Sequence, residues 1–390
     1  MVSHDDHIAE IELFPVSVPY KHREVSSQVN RDGVSDVIVK ITSENGVIGW
    51  GESCSGADIL SIVETLNAMK PFVVGRSPWE SELIRQQLWW DGLWQFRKGT
   101  AGFAYAGLDM AMWDICGKLA DLPLFKLFGG KVRDNVNYFY YLSQGSNEDL
   151  ARQCEDGIKQ GFHVFYLKVG LDFDLEVEMI RTIREVIGPK GKIRLDANGS
   201  WTVVEAIKNF KALETFDIDF VEAPVMPDPL SGMKELRSLG LITVCANEGL
   251  WTTQDAYRHI TERTSDVINF SPYWVGSLAQ FQRLAFNAHF EGIQVCKHTH
   301  GELGIAAAAS HHILLTLPNI VDGNQHTAYL MADDILEEPL PIAFRPDWGV
   351  PNKSGLGVAV DEAKVIKYAQ SYQKDGQFLP YDMNCLKQDR

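Results

Sequence analysis

The chain is short of paired cysteine. Its six cysteines, at positions 54, 116, 154, 245, 296 and 385, are scattered and form no Cys-x-x-Cys pair. That argues against a disulfide scaffold or a cysteine-based zinc site and suits reduced thiols in a cytoplasm. Cys245 and Cys296 fall in apolar runs and read as small core residues rather than nucleophiles. Long hydrophobic runs are missing too, so no segment reads as membrane-spanning. The opening residues, Met1 to His7, lack the basic-then-apolar pattern of a secretory signal. Positive charge is the third shortage. There are 36 basic against 52 acidic residues, a net charge of −16, which argues against nucleic acid or an anionic membrane as the main partner. An anionic small molecule is still allowed, because a local cation can reverse the sign inside a pocket.

What the chain does have is length and order. Its 390 residues suffice for one large barrel plus a smaller unit. Residues 8–20 and 36–51 alternate apolar and polar, with Asn45-Gly46 as a hairpin turn. Helical patterns follow at about 59–73, 78–96 and 101–120, so the first part reads as an α+β unit. From residue 135, short β runs alternate with helices. The runs are 136–142, 164–169, 193–195, 220–221, 242–245, 267–270, 293–296 and 319–321. Eight of them suit a closed parallel barrel. The stretch from about 358 is helical and then irregular.

Three of these runs end in an acid: Asp196, Glu222 and Glu248, separated by 26 residues each time. A strand-helix-strand unit takes roughly thirty residues, so each interval fits one barrel step. Active-site residues of such barrels lie at the C-terminal ends of the strands. Three carboxylates gathered there would repel one another without a hard cation, and Mg²⁺ takes oxygen ligands while leaving positions for water and substrate. One such acid could be a helix cap. Three in step are hard to explain that way.

Other residues could carry chemistry. Tyr166 and Lys168 share a face at the end of the second run. Lysine is a base only when neutral, which burial and a nearby cation favour; the alternative is a surface or strand-end ion pair. Asn198 shares the face of Asp196 and could hold a water or a substrate oxygen, or be an ordinary turn amide. His298 ends the seventh run and His300 has the same parity, so either could transfer a proton. His311 and His312 read as structural. Asp322 ends the eighth run and could bind a hydroxyl or simply make a turn. Trp89, Trp90, Trp94, Phe96, Arg97 and Lys98 form an aromatic and basic cluster, and Lys21, His22 and Arg23 a basic spot in an expected loop. From these, Lys21 and Trp90 are candidates for contacting a hydroxylated acid.

Together these residues resemble the enolase superfamily, in its mandelate racemase and muconate-lactonizing branch. Ala106 to Lys118 (AGLDMAMWDICGK), Pro123-Leu124 and Leu127-Phe-Gly-Gly130 look like the family's segment between capping domain and barrel. Leu195-Asp-Ala-Asn-Gly199 and Val221-Glu-Ala-Pro224 look like its next hallmarks. The resemblance implies a (β/α)7β modified TIM barrel, residues 133–357. It also implies an α+β N-terminal capping domain, residues 1–132, completed by about 358–390. It implies Mg²⁺ on Asp196, Glu222 and Glu248, with Asn247 a rival for the third place, and removal of the proton α to a carboxylate. A homo-oligomer is expected.

Two departures bear on the reaction. Tyr166 stands where the family often has the first lysine of Lys-x-Lys, as in several sugar-acid dehydratases. Ser271 stands where histidine-using relatives place an aspartate and two-lysine relatives the second lysine. The reading is therefore a sugar-acid dehydratase, with Lys168 taking the α-proton and His298 protonating the departing β-hydroxyl. A racemase, epimerase or cycloisomerase is the alternative in the same class, and a non-catalytic binding protein the one outside it.

Overall fold

The computed structural model describes residues 6–25, 30–54, 58–97 and 99–379. The first unit is a three-stranded antiparallel sheet under three helices. Its strands are β1 (Ile8–Val25), β2 (Asn30–Ser43) and β3 (Ile48–Cys54). Its helices are α1 (Ile59–Val73), α2 (Ser81–Asp91) and α3 (Thr100–Ala120). The turn between β2 and β3 forms at Asn45-Gly46, where Gly46 has φ +78° and donates its N–H to Ser43 O. Strand β1 runs past the expected end at residue 20. After an irregularity between Pro19 and Glu24 it pairs again, Glu24 opposite Arg31. Lys21, His22 and Arg23 therefore lie in a strand, not a loop.

Helix α3 lies almost against β3. A β-carbon on Gly51 would overlap Gly107 O, and one on Gly49 would overlap Ala111 O. Small residues on both sides allow that approach. The same helix ties the two units together. Asp109 Oδ2 accepts the N–H of Leu278, and Asp114 accepts those of Trp50 and Leu356. From the sheet side, Glu52 accepts the N–H groups of Leu303 and Ala306 at 2.6 and 2.9 Å, satisfying orphan donors at a helix start.

The second unit holds seven parallel strands in sequential order. They are β5 (Tyr140–Leu142), β6 (Val164–Lys168), β7 (Lys192–Asp196), β8 (Ile218–Glu222), β9 (Val244–Ala246), β10 (Val267–Phe270) and β11 (Gln294–Lys297). The run expected at 136–142 is split. Its first part, β4 (Asn135–Asn137), pairs antiparallel with β12 (Asp347–Gly349) instead. The eighth run makes only single parallel bridges, Val295 with Ile320 and Tyr138 with Asn324. Those two bridges span the gap between β11 and the start of the sheet and close the (β/α)7β barrel. Helix α4 (Gly304–Leu314) follows β11. The last described helix, α5 (Glu362–Asp375), returns toward the first sheet, where Glu362 meets Lys40 at 2.9 Å and Gly376 O accepts from Ser17. Among the described residues no helix is long and apolar enough to cross a membrane.

The barrel floor is a small apolar group of Phe220, Cys245, Val267, Cys296 and Val321. The five described cysteines are free and buried; Cys385 lies outside the described residues. Arg194 lies over the Phe220 ring at 4.4 Å and donates to Asp219 at 2.7 Å. Asp322 belongs to this lower rim, not to the mouth. Its carboxylate takes His163 Nε2 at 2.7 Å and Asn137 Nδ2 at 3.0 Å, and His163 precedes β6.

That pair gives a pH prediction. The His163 hydrogen bond holds the Asp322 carboxyl down at about 2, and in return Asp322 raises the His163 imidazole. Asp322 stabilises the fold above its unfolded pKa of about 3.9 and loses this as pH falls toward 2. His163 stabilises it below its unfolded pKa of about 6.5 and loses this as pH rises through the folded value. The melting-temperature gap between wild type and His163→Gln should therefore be widest between roughly pH 4 and 6.5. A gap that stays flat from pH 4 to 9 would refute the pairing.

Candidate active site

Parallel register brings the strand-end residues into one row. Lys168 stands opposite Asp196, and Asp196 opposite Glu222. Tyr166 lies one step lower on the same face as Lys168. Both reach the same oxygen: Tyr166 Oη and Lys168 Nζ donate to Asp196 Oδ2 at 2.6 and 2.7 Å. Glu248 is placed differently from its equal interval. Register sets Cys245 beside Glu222, so Glu248 stands three residues beyond the row, above the end of β9.

Asn198 joins the two levels. It has φ +47° in the turn after β7. Its backbone N–H donates to Asp196 Oδ1 and its amide to Glu248 Oε1, both at 2.8 Å, while its oxygen accepts from Lys168 at 3.1 Å. Asn247 gives its amide N–H to Asn269 O. Glu248 Oε2 and Glu222 Oε1 are buried without a partner.

Those two oxygens decide whether the site suits a cation. Burial, and then the Asp196 charge, push the Glu222 carboxyl well above its usual range and Glu248 up to about 7. Burial alone would lower the Lys168 ammonium, but Asp196, Glu24 and Glu222 outweigh it and raise it. The protein thus gathers more negative charge than one ammonium offsets. It also leaves carboxylate oxygens open. A hard divalent cation fits this donor set, and Asp196, Glu222 and Glu248 are the residues that would hold it.

His298 and His300 sit beyond β11, with ring centroids 5.3 Å apart. The Trp274 ring lies 4.2 Å from His298 and 5.7 Å from His300. Each histidine has a buried Nδ1 without a partner. Burial first, then neighbouring cationic groups, hold His298 well below the ordinary imidazole range. His300 is lowered to about 3, by burial and then Arg31. Ser271 is buried at the position read as a departure.

Other expected residues lie away from this centre. Lys21 Nζ donates to Tyr329 O on the outer side of β1, lining a groove with Tyr140 and Arg152. Trp90 is 64% exposed on α2, under the Arg97 guanidinium. Its neighbour Trp89 lines a cavity shared with Trp251 and Trp274. Lys98 lies outside the described residues. His311 and His312 are buried and bond to Gly349 O and Leu356 O.

Four contributors escaped the sequence reading. Gln325, beyond the eighth run, donates to Glu222 Oε2 at 2.7 Å. Glu24 and Arg31 pair at 2.8 Å, buried, and Arg31 also donates to His300 O. Trp274 was hidden in an apolar stretch. Extending the β1 and β2 alternations and the eighth strand by a few residues would have found the first three.

Comparison with known proteins agrees with this geometry. Residues 149–364 match the family described as enolase C-terminal domain-like, and residues 10–129 the mandelate racemase / muconate lactonizing enzyme N-terminal domain. A hydrophobic dipeptide epimerase of Enterococcus faecalis is 28% identical over 338 residues, 84% of this chain and 92% of that protein. An arabinonate dehydratase of Saccharolobus solfataricus is 28% identical over 348 residues, 85% and 90% of the two chains. The crystal structure of a dipeptide epimerase from Enterococcus faecalis, with Mg and the dipeptide L-Leu-L-Tyr, superposes with a TM-score of 0.84. It is 25% identical and covers 90% of this chain and 99% of its own. With both units matched and the strand-end acids in place, the chain belongs to the enolase superfamily, in its mandelate racemase / muconate lactonizing enzyme branch.

Proposed function

We propose that the protein is a Mg²⁺-dependent sugar-acid dehydratase, a lyase that converts a small hydroxylated carboxylate to a 2-keto-3-deoxy acid. Lys168 is the base. It takes the proton α to the carboxylate, and the electron pair passes into the carboxylate carbon–oxygen system. The β carbon–oxygen bond then breaks, and His298 gives a proton to the departing hydroxyl, which leaves as water. The enol that remains tautomerises to the keto acid. Mg²⁺ among Asp196, Glu222 and Glu248 supplies the positive charge that stabilises the negative charge developing on the substrate carboxylate. Tyr166 and Asn198 keep Asp196, Lys168 and Glu248 in one arrangement.

The observation that carries this reading is the inequality of the two proton-transfer groups. Lys168 sits among carboxylates that set its charge. His298 is a buried imidazole with no acidic partner. Elimination needs one base and one acid. Burial keeps His298 mostly neutral; its minor protonated form is a strong acid for the departing hydroxyl, and the neutral ring is a weak base for an α-proton. Racemisation needs both groups to accept and return that proton. Sequence similarity does not separate the two readings. The dipeptide epimerase and the arabinonate dehydratase are equally similar, at 28% identity each.

Two predictions follow from the site. Chelator should abolish activity and Mg²⁺ restore it. Bound metal should also stabilise the fold, by ~2.7 kcal/mol at a hundredfold excess over Kd, seen as a rise in melting temperature. Glu222→Gln should lose both effects. An unshifted melting temperature together with full activity in metal-free protein would remove the metal assignment.

For the reaction, a panel of sugar acids is assayed for 2-keto acid in D₂O, with dipeptides and N-acyl amino acids run in parallel for α-deuteration. Lys168→Ala should abolish α-proton exchange. His298→Asn should lose about 10²–10⁴ in dehydration while exchange survives better, and His300→Asn should lose far less of either. Deuteration of dipeptides without any keto-acid product would replace dehydration by epimerisation.

A further inference from the structure

The loop His298–Thr299–His300 carries both imidazoles, and five of its six backbone N–H and C=O groups are hydrogen-bonded. His298 N–H bonds Phe270 O at 2.9 Å, Thr299 N–H bonds Gln325 Oε1 at 3.2 Å, and His300 O accepts from Arg31 at 2.8 Å. The other two of the five meet one atom. Tyr273 Oη accepts the N–H of His300 at 2.8 Å and lies 3.1 Å from His298 O. Its single proton is shared between that carbonyl and Glu302 Oε2 at 3.2 Å. Glu302 is fully buried. It also accepts from Thr299 Oγ1, and it pairs with Lys297, itself 1% exposed. A buried carboxylate with a buried ammonium is costly unless hydrogen bonds fill its remaining lone pairs. Here Thr299 and Tyr273 fill them. The whole arrangement forms beneath one short loop.

We propose that Tyr273, with the buried Lys297–Glu302 pair, is a positioning frame that holds the two histidines toward the carboxylate row. None of the three is offered as a group that touches substrate. They act on the backbone between His298 and His300, so their effect should fall on the histidine-dependent step and spare Lys168, which β6 places independently. The effect on catalysis rests on the proposed dehydration; the effect on the loop does not.

The first measurement is therefore hydrogen exchange of the His300 amide, followed by NMR in protein labelled with ¹⁵N-histidine and assigned with His300→Asn. Tyr273→Phe keeps the ring and deletes the acceptor, so exchange should quicken by about tenfold or more. Lys297→Met/Glu302→Gln removes both charges together, so no lone buried charge is left. It should quicken exchange in the same direction, and it serves if Tyr273→Phe folds poorly. The second measurement is the ratio of dehydration to α-proton exchange. Displacing a reacting group by about 1 Å can cost on the order of a hundredfold. The ratio should fall about tenfold or more while exchange stays within about threefold of wild type. An unchanged His300 amide in the variants overturns the frame, whatever the reaction. A faster amide with an unchanged ratio, or an equal fall in both steps, overturns its role in positioning. Wild type that yields no keto acid from any sugar acid refutes the dehydratase reading instead, and the amide result still decides the frame.

Discussion

Three carboxylates share a buried space at the barrel mouth, and their mutual repulsion constrains nearly everything around them. Asp196 and Glu222 are side by side in register, and both are almost fully buried. Water cannot screen them there. The chain answers with donors: Tyr166 and Lys168 on Asp196, Gln325 on Glu222, Asn198 on Glu248. These do not complete the compensation. Glu222 Oε1 and Glu248 Oε2 remain without partners. A folded chain that leaves two buried carboxylate oxygens open invites a cation, so the packing as well as the family membership points to a cation at this place.

The same constraint separates Lys168 from His298. Lys168 is close enough to the carboxylates for their field to raise its ammonium against burial, so anything that changes the charge of that row changes its protonation. His298 lies against the Trp274 ring. Its loop is held through the backbone by Phe270, Gln325, Tyr273 and Arg31. The two groups are therefore tuned by different neighbourhoods. Gln325 links them physically, with its amide nitrogen on Glu222 and its oxygen on the Thr299 N–H.

Much of this was legible in the sequence, for a definite reason. Strand parity fixes which residues share a face, so Tyr166, Lys168, Asp196 and Glu222 could be grouped from spacing alone. Helix 59–73 was legible because its apolar residues 59, 62, 66, 69 and 73 recur at helical spacing. Register was not legible. Equal intervals of 26 residues suggested equal steps, yet Cys245 and not Glu248 lies beside Glu222. Single bridges also hide from pattern reading. The eighth strand makes few ladder bonds, so its end was read at Asp322, and Gln325 three residues later was overlooked. Lys21 and Trp90 failed differently. Cations and aromatics mark surfaces as readily as sites, and nothing in their spacing said which way β1 or α2 would face.

The connection between the two units lies in helix starts. Glu52 of β3 takes the N–H groups of Leu303 and Ala306, at the start of α4, and Asp109 of α3 takes that of Leu278. A carboxylate is well placed at a helix N-terminus, where free N–H groups and the dipole both favour it. Each contact joins the first unit to a barrel helix. The Glu52 contact is the more consequential, because Leu303 directly follows Glu302 in the loop that carries His298 and His300. The cap sheet therefore holds the far end of the histidine loop, while Arg31, on the neighbouring strand β2, holds His300 O. Any shift of the first unit against the barrel must move that loop or break those bonds. The first unit thus helps to fix the loop that carries His298 and His300, through the bonds of Glu52 and Arg31 to its backbone.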